Sequence, residues 1–361
     1  MKKIRLVVTL LVLFAAIGSV SSAWSQTATD KPKLNVAILI FDGVQIIDYT
    51  GPYEVLGSWG RRNVYTVSEK ADAITTNMGM RVIPNYTFDN QPRPDIIVIP
   101  GGGSSAPGPQ ARGVGGQLEN QKVINWIQDN AKQARYVMSV CNGAFLLSKA
   151  GLLDGLEATT TAGLIERLKS VSPKTKVVCD KRFVDNGKII TTGGLSSGID
   201  GAIHLVEKLD GKGWAQAVAY GIEYNWQPDS GFARAALADM KLPQSIYDVI
   251  YPGAEPVSFN GGVDSWEEKW SVSSSSAPAE LLQRISEKWA TDNRWTKAVA
   301  VKSSDAASTT SQWRFVDEKG QAWDGTASVQ PVAGNRLELT LKIVRANSNA
   351  RGATQAKASL N

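Results

Sequence analysis

The chain is poor in histidine and cysteine. Among 361 residues there is one histidine, His204, and there are two cysteines, Cys141 and Cys179. Zinc sites built on two or more histidines are therefore impossible, and two thiolates cannot complete a four-cysteine zinc site. A Ser-His-Asp triad or a Cys-His pair has only His204 to serve as its base. One cysteine pair is no disulfide framework for a chain this long. Charge of one sign is scarce as well. The net charge is +5, and the first 26 residues carry three bases, Lys2, Lys3 and Arg5, with no acid. The remaining 36 bases and 34 acids leave an excess of two. No basic stripe marks a nucleic-acid partner. Hydrophobic residues make up 43% of the sequence, enough for a sizeable core, so neither a disordered chain nor a disulfide-held mini-protein is in view. Chemistry has to rest on cysteine, carboxylates, hydroxyls and backbone donors.

The N-terminus has the form of a secretory signal over residues 1–25. Its basic start precedes a mostly apolar run, Leu6 to Ile17, and Ser21-Ser22-Ala23 offers a small-x-small cleavage site. A membrane span needs ~20 apolar residues, so this run predicts export to a periplasm or secretion, with no stable membrane insertion after cleavage. Oxidising surroundings would then allow a Cys141–Cys179 disulfide.

Residues 24 to 33 form a polar entry segment. Leu34 to Phe41 is a near-continuous apolar run closed by Asp42-Gly43, the pattern of a strand buried on both faces. Asp95 to Pro100, Tyr136 to Val140 and Lys188 to Thr192 read the same way. Helices are expected over 45–59, 121–133, 143–150 and 198–209. Strands alternating with helices and turning at glycine-rich ends predict an α/β sandwich with a mostly parallel sheet. The pattern changes after about residue 235. Residues 252–265 read as a linker, and 266–345 as a small α+β module rich in exposed-looking tryptophan. In that module Trp266 to Ser273 is a strand and Ser276 caps a helix ending near Asp292. Trp313 to Val316 and Ala322 to Val329 flank a hairpin turn, and Leu337 to Val344 is the last strand. Residues 346–361 read as a polar disordered tail.

Ser139-Val140-Cys141-Asn142-Gly143-Ala144 carries the most chemical information. A buried strand runs straight into Cys, a short polar residue, Gly and a helix. That tight turn lifts a nucleophile above the sheet edge and turns the amides of the helix start toward it. Such surroundings are expected to lower the thiol pKa. Cysteines at strand ends are also often inert and buried.

Three groups of segments resemble the ThiJ/PfpI superfamily of class I glutamine amidotransferase-like proteins, within the branch that holds isonitrile hydratase and the amidotransferase-like domains of AraC-type regulators. They are Phe41 to Leu56, with Asp48, Gly51 and Pro52; Pro94 to Gly103 followed by Val140 to Gly155 and Ala158 to Thr160; and Arg182 to Gly194 continued by Ser197 to Val206. The resemblance spans residues 34–226 within a domain bounded at 34–235, and implies a flavodoxin-like fold with a nucleophile elbow. It implies Cys141 as nucleophile and Asp48 as the acid that approaches its sulfur. It implies backbone donors at Gly102 or Gly103 and at Asn142 for a developing oxyanion. Asp200 falls near the same sheet edge, where helix capping is the simpler role. No metal or organic cofactor is implied, and family habit allows a homodimer. Two departures stand out. Thr161 stands where many relatives have His, and can donate a hydrogen bond but not act as a base. Asn142 stands where isonitrile hydratases often have Thr.

The glycine-rich stretch from Gly101 to Gly116 lacks the Gly-Lys-Ser/Thr of a phosphate cradle and reads as a surface loop. His204 lies inside a helix and reads as a packed or interface residue, and Cys179 as a structural residue or a disulfide partner. The tryptophans of the module read as its core or, alternatively, as a stacking surface for a ligand. Together these features predict an exported Cys-dependent hydrolase or hydratase acting on a small electrophile. The rival reading is a non-catalytic protein that senses a ligand or oxidant through Cys141.

Overall fold

The computed structural model describes residues 33–108, 111–228, 234–251, 253–273, 276–297, 309–317 and 319–346. The expected signal segment, residues 1–25, lies outside them, as does all but Ala346 of the expected tail.

The N-terminal part is built on a seven-stranded sheet. Its strands are β1 (Leu34–Leu39), β2 (Arg62–Ser68), β3 (Tyr86–Thr87), β4 (Ile96–Ile99), β5 (Tyr136–Ser139), β6 (Phe183–Asp185) and β7 (Ile189–Thr192). They lie in the order β6-β7-β5-β4-β1-β2-β3. Pairs β1–β4, β4–β5, β5–β7 and β2–β3 are parallel, and β6–β7 is antiparallel. The central strands β1 and β4 are apolar without alternation because both faces are covered; Val36 to Ile40 and Ile96 to Ile99 are fully buried. The helices that accompany the sheet include α1 (Ile46–Gly57), α2 (Gln121–Gln133), α3 (Gly143–Lys149), α4 (Ser196–Asp210) and α5 (Lys212–Gly221). This is the α/β architecture the alternating pattern predicts. β2 was not anticipated, since its Arg-Asn start hides a short buried run.

The C-terminal module is a six-stranded antiparallel sheet with a helix on it. Its elements are β8 (Ala254–Gly262), β9 (Ser265–Ser273), α6 (Pro278–Ala290), β10 (Thr296–Lys297), β11 (Thr309–Val316), β12 (Ala322–Val332) and β13 (Arg336–Arg345), with strand order β8-β9-β13-β12-β11-β10. Two expectations change here. The stretch read as a linker is largely β8, an edge strand paired with β9 through a bulge between Pro256 and Ser258. An edge position tolerates proline because its N–H side needs no partner. The residue before α6 is Ala277, not Ser276: Pro278 occupies the first helical turn, where its missing N–H costs nothing. The tryptophans, exposed-looking in the sequence, bear out the first of their two readings, a core. Trp266, Trp270, Trp289, Trp295, Trp313 and Trp323 are all buried, with Trp289 stacked on Trp313 at 4.1 Å between ring centres. They form a core that also takes in Ala235, Ala238, Leu242, Ile246 and Ile250 from the stretch preceding β8.

Candidate active site

The site is assembled where β5 gives way to α3. Val140 still bonds to the sheet, donating to Ile99 O at 3.0 Å, and the next residue breaks away. Cys141 has φ 56°, in the left-handed region that a side chain disfavours. Such a conformation costs about 1–3 kcal/mol and persists only where its surroundings enforce it. Its N–H donates to Gly193 O at 3.1 Å, and its carbonyl accepts from Thr160 Oγ1 at 2.8 Å. The residue two places on must be glycine, because a Cβ on Gly143 would stand 2.1 Å from Ile99 O.

Asp48, in the first turn of α1, is fully buried against this turn. Its Oδ2 accepts from Gly101 N at 3.2 Å and its Oδ1 from Leu195 N at 3.1 Å, and the carboxyl is hydrogen-bonded to the Cys141 thiol. Burial outweighs these bonds and raises the Asp48 pKa to about 6. The thiol moves the opposite way from expectation. Burial, followed by the adjacent Asp48 charge, pushes Cys141 up to about 12, against the Asn142 N–H and the Thr161 hydroxyl, which favour thiolate. The turn does aim donors at the sulfur, but it also removes the sulfur from water and sets an acid beside it. At neutral pH the pair therefore holds its one proton on sulfur, donated toward a carboxylate.

The structure brings Asp48, Cys141, Asn142 and Thr161 together. Asn142 faces the sulfur with its backbone N–H while its side chain braces the neighbouring loop. Its Oδ1 accepts from Gly102 N at 2.8 Å and its Nδ2 donates to Gly103 O at 3.2 Å. The expected oxyanion donor at Gly102 is corrected by this bond, since that N–H already serves Asn142. Gly103 is exposed and left-handed, in a bridge with Gly113. Asp200 also departs from expectation. It lies inside α4 rather than at its cap, which is Leu195, and its carboxylate is taken by Arg182 and by Tyr224 Oη, the latter at 3.1 Å. Both thiols are free, without the Cys141–Cys179 disulfide that oxidising surroundings would allow. His204 is engaged by Asp185 at 2.9 Å and stacked on Phe183.

Two residues of the site carried no prior assignment. Gly194 makes room for the thiol, since a Cβ there would stand 3.4 Å from Cys141 Sγ and 2.9 Å from Thr161 Oγ1. Its Gly-Gly signal was visible in the sequence. Leu195, the second partner of Asp48, has φ 54° and an exposed side chain. Nothing about a leucine announces a left-handed backbone.

Comparison with known proteins agrees with this geometry. The model of the DJ-1/PfpI family matches residues 34–208. An isonitrile hydratase of Pseudomonas putida is 37% identical over 228 residues, which cover 62% of this chain and 91% of the relative. The chain belongs to the DJ-1/PfpI family. Two further relatives are less similar to it. The HTH-type transcriptional regulator GbdR of Pseudomonas aeruginosa is 22% identical over 51% of this chain and 49% of its own length. A THiJ/PfpI family crystal structure from Pseudomonas syringae is 24% identical, with a TM-score of 0.48, and covers 60% of this chain and 92% of that one. In this DJ-1/PfpI protein the family match ends inside α4, so α5 and the C-terminal module lie beyond it.

Proposed function

We propose that this DJ-1/PfpI protein is an exported, cysteine-dependent hydratase or hydrolase acting on a small electrophilic carbon, with isonitriles as the leading substrate class. One observation carries the reading: a buried carboxyl near pKa 6 is hydrogen-bonded to the thiol of a strained elbow cysteine. A thiol held protonated beside a carboxylate suits addition across a C–N multiple bond. Asp48 takes the thiol proton as Cys141 sulfur bonds to the isonitrile carbon, and returns that proton to the same carbon, leaving a thioimidate. Water then adds to this carbon, a proton goes to nitrogen, and the C–S bond breaks. An N-substituted formamide leaves, and the thiol is restored. The Asn142 N–H and the Thr161 hydroxyl stabilise sulfur while it carries charge. No step needs an imidazole, in keeping with Thr161 at the position where relatives often have histidine. The resting protonation argues against a peroxide-sensing thiol, because the thiolate is the form that oxidises readily.

The test is incubation of the protein with a panel of alkyl and aryl isonitriles, following formamide by NMR. Turnover by the parent and its loss in Cys141→Ala is the expected result. Absence of formamide across the panel, with tight binding that survives Cys141→Ala, would sink the catalytic reading and leave a ligand sensor.

A further inference from the structure

Cys141 keeps its left-handed backbone through two bonds, from its N–H to Gly193 O and from Thr160 Oγ1 to its own carbonyl. A single side chain touches both of those anchoring residues. Arg234 Nη1 donates to Thr160 O at 3.0 Å and stands 2.8 Å from where a Cβ on Gly193 would be. Nη2 reaches Thr159 Oγ1 at 3.3 Å, and Nε donates to Cys179 O at 2.8 Å. The guanidinium is 1% exposed, and its hydrogen bonds among the described residues go to two backbone carbonyls and a hydroxyl rather than to a carboxylate. Taking a charge out of water with no carboxylate in hydrogen-bond contact is expensive, and the Asp180 charge offsets only part of that burial, so its fork of donors has to be well used. Here the fork ties together two backbone segments, Thr159-Thr160 and Cys179, and packs against a third at Gly193. Arg234 also lies beyond residues 34–208 and immediately precedes Ala235, which with Ala238 belongs to the core of the C-terminal module.

We propose that Arg234 is a positioning residue for the Cys141 thiol, through which the C-terminal module holds the strained elbow in place. A lysine in its place supplies one point of attachment where the guanidinium supplies three, and a methionine supplies none. Without the brace, Thr160 and Gly193 can shift, the backbone of Cys141 relaxes, and the sulfur moves out of its buried contact with Asp48.

The inference rests on Cys141 being the reactive thiol, and its test needs no substrate. Alkylation by iodoacetamide is followed against pH in the full-length protein, with modification at Cys141 read by peptide mass. In Arg234→Met the alkylation midpoint is expected to move by about one pH unit or more toward that of an ordinary thiol, about 8.5. Arg234→Lys should recover part of that shift. Thr160→Val removes the hydroxyl bond to Cys141 while leaving the guanidinium in place, and should shift the midpoint in the same direction. If Arg234→Met does not fold, Arg234→Lys, which keeps the charge and loses the fork, decides in its place: a profile that coincides with the parent overturns the proposal. Profiles of the folded variants that coincide with the parent overturn the proposal. Missing isonitrile turnover would remove the catalytic reading and still leave these profiles to decide on Arg234.

Discussion

Asp48 is asked to be buried and to be an acid, and those two demands set the behaviour of the site. Its charge is the second cause, after burial, that holds the Cys141 thiol protonated, and its carboxylate is the base that the proposed reaction needs. Asp48→Asn keeps the shape and removes both. The thiol should then ionise at lower pH, seen as a downward shift of the Cys141 alkylation midpoint. Turnover should nevertheless fall by about 100-fold or more, the usual contribution of a positioned proton carrier. A more ionised thiol with less activity separates proton transfer from simple thiol activation; equal kinetics in the two proteins would remove Asp48 from the chemistry. In the parent, kcat/KM should fall as pH drops through about 6, where Asp48 takes up its proton. Asp48 and Cys141 were legible in the sequence because each sits in a motif. The thiol's direction of shift was not, because the turn's donors could be inferred from local spacing while burial and the approach of a residue 93 positions away in sequence could not.

Element by element, legibility followed how much of the signal is local. β1, β4 and β5 are near-continuous apolar runs, and α2 fills the predicted span with buried Val123, Ile124, Trp126 and Ile127 on one face. β8 was missed because Pro256, Asn260, Gly261 and Gly262 speak for turns, and only pairing with β9 makes them a strand. In β12 the inward positions are Trp323, Gly325, Ala327 and Val329, and the small residue among them has a reason. A Cβ on Gly325 would stand 2.7 Å from Trp289 and 2.9 Å from Trp295, two indoles set edge to face. Gly325→Ala should therefore overpack the module, costing about 1–3 kcal/mol. Urea unfolding followed by tryptophan fluorescence should show a lower midpoint with an unchanged slope. An unchanged midpoint would mean that the indoles have slack the geometry does not indicate.

At the scale of the whole molecule, a second buried acid pair ties the stretch preceding β8 to the module's sheet. Glu268 on β9 is 2% exposed and accepts from Tyr247 Oη at 2.7 Å, Trp266 Nε1 at 2.8 Å and Trp270 Nε1 at 2.7 Å. Asp239, from the short helix Ala236–Asp239, is hydrogen-bonded to Glu268, and burial and then that partner push its pKa up to about 7, against Trp266 and Tyr247. Ionising Asp239 sets its charge against the carboxyl of Glu268. A folded pKa above the unfolded value of 3.8 means that the stabilisation is complete below that value and is lost as pH rises through about 7. Asp48 has the same sign, but its loss is largely complete near its own pKa of about 6. The interval between about pH 6 and pH 8 therefore reports mainly on Asp239. Across it the apparent melting temperature should fall by roughly 2 °C, and Asp239→Asn, which can donate to Glu268 without ionising, should flatten the slope. A parent whose melting temperature is level over this interval would show that Asp239 is not held protonated in the folded state. Asp239 stands five residues after Arg234 on the same stretch, so loosening this pair at high pH should also loosen the brace behind Cys141, and the Asp239→Asn variant should keep an intact elbow to higher pH than the parent.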